Sequence, residues 1–156
     1  MKGKVTWKKN MTFEAVADSG QAFLFDSAPA SEMTGPSPME ALALSLAGCT
    51  AMDVISILQK KQQAVTGFEV RVHADRAQDY PKVYTHAALE YRVAGRGVDE
   101  QAVTRAIQLS IEKYCPVHAM LSQAFPIALT YVVLEDEGEA GRRVVSEGTF
   151  MPAEEA

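Results

Sequence analysis

The segment from Ser37 to Lys61, SPMEALALSLAGCTAMDVISILQKK, constrains the fold more than any other stretch of the chain. Ser37 and Glu40 have the spacing of a capping box, in which the serine oxygen accepts from the N–H three residues on and the glutamate reaches back. Pro38 falls at the first helical position, where its fixed φ helps and its missing N–H costs nothing. From Ala41 to Met52 nearly every residue is apolar, which predicts a helix buried on most of its circumference. That run is shorter than the ~20 residues needed to cross a bilayer, so no membrane segment is expected. A helix of about 25 residues is about 37 Å long. One small domain covers that length poorly, and a homodimer core is expected to cover it. Gly48 sits mid-helix, where glycine costs about 1 kcal/mol relative to alanine, so a close neighbour is expected there.

The rest of the chain reads as strands and shorter helices around this element. Lys4–Lys8, Met11–Asp18 and Gln21–Asp26 have strand character, with Asp18-Ser19-Gly20 supplying a hairpin turn. Asp26 to Pro36 is a Ser-, Pro- and Ala-rich loop. Phe68–Asp75 and Lys82–Val93 alternate apolar and polar residues, the pattern of strands with one buried face. Asp99 caps a second helix whose Val103, Ile107, Ser110, Ile111 and Tyr114 fall on one side. Pro116 stops that helix and opens a third, short one, with Cys115 at its cap. Ile127–Leu134 is the last expected strand. The order βββ-α-ββ-α(α)-β defines an α+β domain over residues 1–134. Residues 135–156 are acidic and Gly-rich, and are expected to form a mobile tail with at most an edge strand, through Val144, Val145 and Phe150.

At 156 residues the chain suits one domain with a real core. A formal net charge of −5 argues against a nucleic-acid surface. Nothing near Met1 resembles a signal peptide, and two cysteines do not make a disulfide framework. A cytoplasmic location with reduced thiols follows.

The chemistry rests on those thiols, Cys49 and Cys115. A buried cysteine is commonly an inert small hydrophobe, but two details argue otherwise. Ser45, Asp53 and Ser56 form a narrow polar stripe along the Cys49 face of an otherwise apolar helix. Cys115 stands at a helix start, where free N–H groups and the dipole favour a thiolate. His118, one turn on, makes a Cys-x-x-His pair, yet three candidate ligands are a weak zinc set, and neither metal nor cofactor is expected. His73 and His86 sit on the polar faces of strands, and Tyr80 and Tyr84 read as surface residues.

The segments GPSPMEALALSLAGCTAMDV (Gly35–Val54) and EKYCPVHAML (Glu112–Leu121) resemble the OsmC/Ohr family of peroxide-stress proteins, and look closest to its divergent YhfA-like branch. The element order extends the resemblance over about Lys4–Leu134. It implies an OsmC-like fold, an intertwined homodimer with sites at the subunit interface, and a cysteine-based peroxidase. In that reading Cys49 attacks a small organic or fatty hydroperoxide, Cys115 resolves the product, and an external dithiol reduces the resulting disulfide. The chain departs from the peroxidase members twice. It has no arginine before Arg71 to activate the thiolate, and Met39 rather than glutamate follows Pro38. Glu40, about 100° further round the helix, reads as a capping residue, while Ser45 and Asp53 remain candidate supports for the thiols. The competing reading is a non-catalytic protein that binds a hydrophobic small molecule or senses redox state.

Overall fold

The structure is a computed structural model and describes residues 1–29 and 31–150. It divides into two compact units, Met1–Leu44 and the chain from Ser45 onward. The first is an antiparallel meander of β1 (Gly3–Lys9), β2 (Thr12–Ala17) and β3 (Ala22–Phe25). The turn expected at Asp18-Ser19-Gly20 closes on a hydrogen bond from the Gly20 N–H to the Ala17 carbonyl, and Gly20 takes the positive φ of 75° that glycine tolerates.

Asp26 organises the loop that follows. Its carboxylate accepts from the N–H groups of Ala28 and Thr34 at 2.9 and 3.2 Å, and from the hydroxyls of Thr34 and Thr12 at 2.8 and 3.2 Å. These donors, the Ala28 N–H foremost, hold its pKa down at about 2. Loop and sheet are thereby tied together just before helix α1 (Pro38–Lys60) begins. The capping box forms as expected: the Ser37 N–H donates to Glu40 at 2.7 Å, and the Glu40 N–H donates to the Ser37 hydroxyl at 3.3 Å.

The second unit is built on a four-stranded sheet in the order β4 (Val65–Arg76), β5 (Tyr84–Gly95), β6 (Ile127–Asp136), β7 (Arg142–Phe150). β4 and β5 are antiparallel, whereas β5 and β6 run parallel. Parallel neighbours need a crossover, here α2 (Glu100–Leu109), a π-turn (Ser110–Tyr114) and α3 (Pro116–Leu121). Ala87, Leu89, Tyr91 and Val93 of β5 are buried, as the alternation predicts, together with Leu129 and Val133 of β6 and Ala102, Val103, Ala106 and Ile107 of α2. Asp99 caps α2 by accepting from the Gln101 N–H.

Several expectations are corrected. The helix around Cys49 is buried only along Leu46, Ala47, Thr50, Val54 and Leu58, a single stripe at helical spacing, while Leu44 and Met52 on the other side are exposed. No atom of the described residues lies within 4 Å of where a Cβ at Gly48 would stand, so none of them is the close neighbour expected there. Over its full length α1 is long and apolar enough to cross a membrane by composition, but its buried stripe is that of a core helix. Tyr114 turns out to solvent, because the π-turn widens the helix by one residue and rotates it off the Val103–Ile107 face. Tyr84 is buried edge-on against Phe125 rather than at the surface. β6 runs on to Asp136, past the strand end expected at Leu134, while the edge strand allowed for through Val144, Val145 and Phe150 forms as β7. Its alternation is weak because it is largely exposed. Residues 151–156 of the expected tail lie outside the described residues.

Replacing Asp26 with alanine should free the 27–36 loop, read as faster proteolytic cleavage there at neutral pH. In the wild-type chain, Asp26 stabilises the fold fully above the ordinary carboxylate pKa and loses that contribution as pH falls from about 4 toward 2. The variant should lack this part of the acid dependence of unfolding.

Candidate active site

Cys49 lies midway along α1, one position before the fully buried Thr50, and is itself half-buried. Cys115 is buried at the joint between the π-turn and α3. Its backbone is extended there because Pro116 follows. The Cys115 N–H donates to the Ser110 carbonyl at 2.8 Å, and its sulfur accepts from the His118 N–H at 3.3 Å, so the residue is a helix cap as expected. Both cysteines are reduced, and the Cys49 thiol lies close enough to act on the Cys115 thiol. Two residues 66 positions apart in sequence are thus side by side.

The electrostatics differ from the sequence expectation. Cys115 was expected to be acidified by its helix start, but burial outweighs the N–H groups of His118 and Val117 and pushes its pKa up to about 11, with Cys49 adding to the rise. A thiol in this setting keeps its proton at neutral pH. Burial also pushes the His118 imidazole down, so it is neutral there. Its Nδ1 is buried without a hydrogen-bond partner, while the Ile111 backbone acts weakly on the ring.

Asp53, one turn beyond Cys49, accepts a 2.9 Å hydrogen bond from the fully buried Ser110 hydroxyl, the first residue of the π-turn. This bond joins the helix of one thiol to the turn that carries the other. Tyr91, fully buried on β5, sets its hydroxyl against Thr50 without a well-formed hydrogen bond, since Thr50 donates to the Ala47 and Leu46 carbonyls. Burial, reinforced by Cys115 and Asp53, pushes the Tyr91 phenol well up, so it stays protonated.

Among the other expected supports, Ser45 lies one turn before Cys49 and is exposed. Glu40 is engaged in the capping box, and the Ser37 bonds hold its pKa down. Asp53 and Ser56 of the polar stripe line a cleft of about 340 Å³ with Ile57, Lys60, Leu109 and Tyr114, whereas Cys49 is not among its walls. No group of three metal-ligating side chains forms among the described residues. The sequence reading missed Tyr91, which looked like one more apolar residue in an alternating strand. It also missed the Ser110–Asp53 bond, whose signal was a lone serine on the apolar side of α2.

This arrangement, a mid-helix thiol beside a second thiol capping the helix after a Cys-Pro step, sits in an α+β fold shared with a known class of proteins. The sequence model of the OsmC-like proteins matches residues 30–130, and the chain belongs to that family. It is 40% identical to Protein YhfA of Escherichia coli strain K12 over 134 residues, 86% of this chain and 98% of that protein. Among solved structures it is similar to a hypothetical protein from Aquifex aeolicus, with 28% identity, a TM-score of 0.78, and coverage of 87% of this chain and 97% of that one. It also shares its fold with the organic hydroperoxide resistance protein OhrB of Bacillus subtilis, at 16% identity, a TM-score of 0.58, and coverage of 84% and 98%.

Because only a thiolate alkylates readily, iodoacetamide modification of Cys115 in a Cys49→Ser chain should rise about tenfold per pH unit from pH 7 toward pH 10. Burial, the main cause of the raised pKa, persists in that variant. A plateau near pH 8 would mean that the helix-start N–H groups prevail.

Proposed function

We propose that the chain is a thiol-dependent hydroperoxide reductase in which Cys49 attacks and Cys115 resolves. The observation that carries this reading is the pairing of the chain's two thiols, one half-buried and one buried. The Cys49 thiolate attacks a peroxide oxygen; an S–O bond forms, the O–O bond breaks, and the alkoxide leaves as an alcohol after taking a proton. The sulfur of Cys115 then attacks the sulfenic acid, forming the disulfide and releasing water with the Cys115 proton. An external dithiol returns both cysteines to the thiol state. The raised pKa of Cys115 suits the second role, because a thiol that keeps its proton is the poorer first nucleophile. The name of the Bacillus subtilis protein that shares the fold points the same way.

One observation favours the alternative, a non-catalytic protein that binds a hydrophobic molecule or senses redox state. Neither lysine nor arginine is among the groups acting on the Cys115 thiol, and no arginine precedes Arg71. A modest turnover rate is therefore expected. The cytoplasm, with its reducing pool, is the compartment this chemistry fits.

Stopped-flow mixing with an organic hydroperoxide should oxidise the wild-type chain to an intramolecular Cys49–Cys115 disulfide. Cys49→Ser should abolish the reaction, and Cys115→Ser should accumulate a sulfenic acid at Cys49. If neither thiol outpaces a free thiol of similar pKa, the binding reading replaces this one.

The protein is also expected to be a homodimer, giving a light-scattering mass twice the 16.9 kDa of the chain. A monomer mass at micromolar concentration would refute this.

A further inference from the structure

The face of the β4–β7 sheet opposite the helices is not a plain solvated surface. Ala94, Val132 and Leu134 form a small buried apolar cluster on it. Ala94 and Leu134 of this cluster, with Glu69 and Arg71 of β4, Arg92 of β5 and Arg142 of β7, line one concavity of about 480 Å³, within the size range of small-molecule sites.

The charges there are unevenly answered. Arg71 pairs with Glu69 at 2.5 Å and with Glu90 at 3.5 Å, and Arg92 pairs with Glu90 at 3.3 Å. Two carboxylates therefore hold two guanidinium groups. Arg142 is different. Its register partner Asp136 accepts from the Thr66 hydroxyl and the Gly138 N–H, so Arg142 acts on that carboxylate only at a distance and makes no close ion pair among the described residues. The guanidinium instead lies over Gly67, where an added Cβ would come within 2.6 Å of its Nη2. Glycine at position 67 thus makes room for a cation held against the sheet, with its donor fork unused.

We propose that this concavity binds a small organic monoanion, a carboxylate carrying a compact apolar body. A carboxylate matches the guanidinium fork with two parallel hydrogen bonds. One guanidinium without a close ion pair calls for one negative charge, and the apolar floor favours a ligand with a hydrocarbon part over an inorganic ion. The site is separate from the thiol pair and stands whether or not the thiols turn over.

Isothermal titration of the full chain with benzoate tests it, with benzamide and inorganic phosphate as comparisons. Benzoate should bind at millimolar concentration or below, benzamide should not, and phosphate should bind more weakly than benzoate. Arg142→Gln, at an exposed position, should keep the fold by circular dichroism and weaken benzoate at least tenfold. Gly67→Ala should weaken it as well, by displacing the guanidinium. The proposal is overturned if benzoate fails to bind at 10-fold millimolar excess, if benzamide or phosphate binds as well, or if Arg142→Gln binds benzoate as the wild type does.

Discussion

The parallel pairing of β5 with β6 is the constraint from which the site follows. Two parallel neighbours cannot be joined by a hairpin, so the chain between Gly95 and Ile127 must leave the sheet, cross its core face and return. It does so as α2, a π-turn and α3, and the direction change is made at Cys115-Pro116. Proline forbids the residue before it from continuing the helix. Cys115 therefore becomes a cap with its sulfur turned into the core, toward the helix that carries Cys49. The thiol pair is a consequence of how the sheet is wound.

Holding the pair together falls to polar groups inside an apolar core. The Ser110–Asp53 bond crosses from the π-turn to α1 within one turn of each cysteine. π-turns are rare and concentrate at functional sites; here the extra residue lets the Cys115 N–H reach the Ser110 carbonyl while the Ser110 hydroxyl reaches Asp53. Burial then sets the protonation pattern. It outweighs the helix-start N–H groups at Cys115 and keeps both Tyr91 and Cys115 protonated at neutral pH. The same helix-start geometry at an exposed site would favour the thiolate instead.

What was legible in the sequence followed from local rules. The capping box at Ser37, the turn at Gly20, the alternation in β4 and β5, the Asp99 cap and the Cys115-Pro116 step each have a signature within a few residues, and each forms. The two cysteines could be singled out, but not their proximity, because contact across 66 residues depends on the winding of the sheet. The failures share a cause as well. Tyr114 was misplaced because an ideal 3.6-residue period was carried through a π-turn. β7 was underread because an exposed edge strand needs little apolar alternation: its pairing lies in the backbone, and Gly148 leaves room for the Tyr131 ring across the ladder.

The composition of α1 bears on what the chain does with its remaining apolar surface. One stripe, Leu46–Thr50–Val54–Leu58, is buried within the chain. Leu44, Gly48 and Met52, at the same four-residue interval, lie on nearly the opposite side of the helix, and the first and last are exposed. A solvated helix face would carry charge there; this one carries two large apolar side chains flanking a glycine. Glycine within a helix is unfavourable, and no neighbour among the described residues uses the space beside it. Small residues between large ones are what permits two helices to approach closely, at the short end of the usual 8–10 Å. A second copy of the same helix, related by a two-fold axis, would bring the same stripe against itself and remove both exposed side chains from water. The glycine that costs stability in a single chain would then have a use, and one chain's core together with one symmetric interface would account for the apolar character of α1 on two sides.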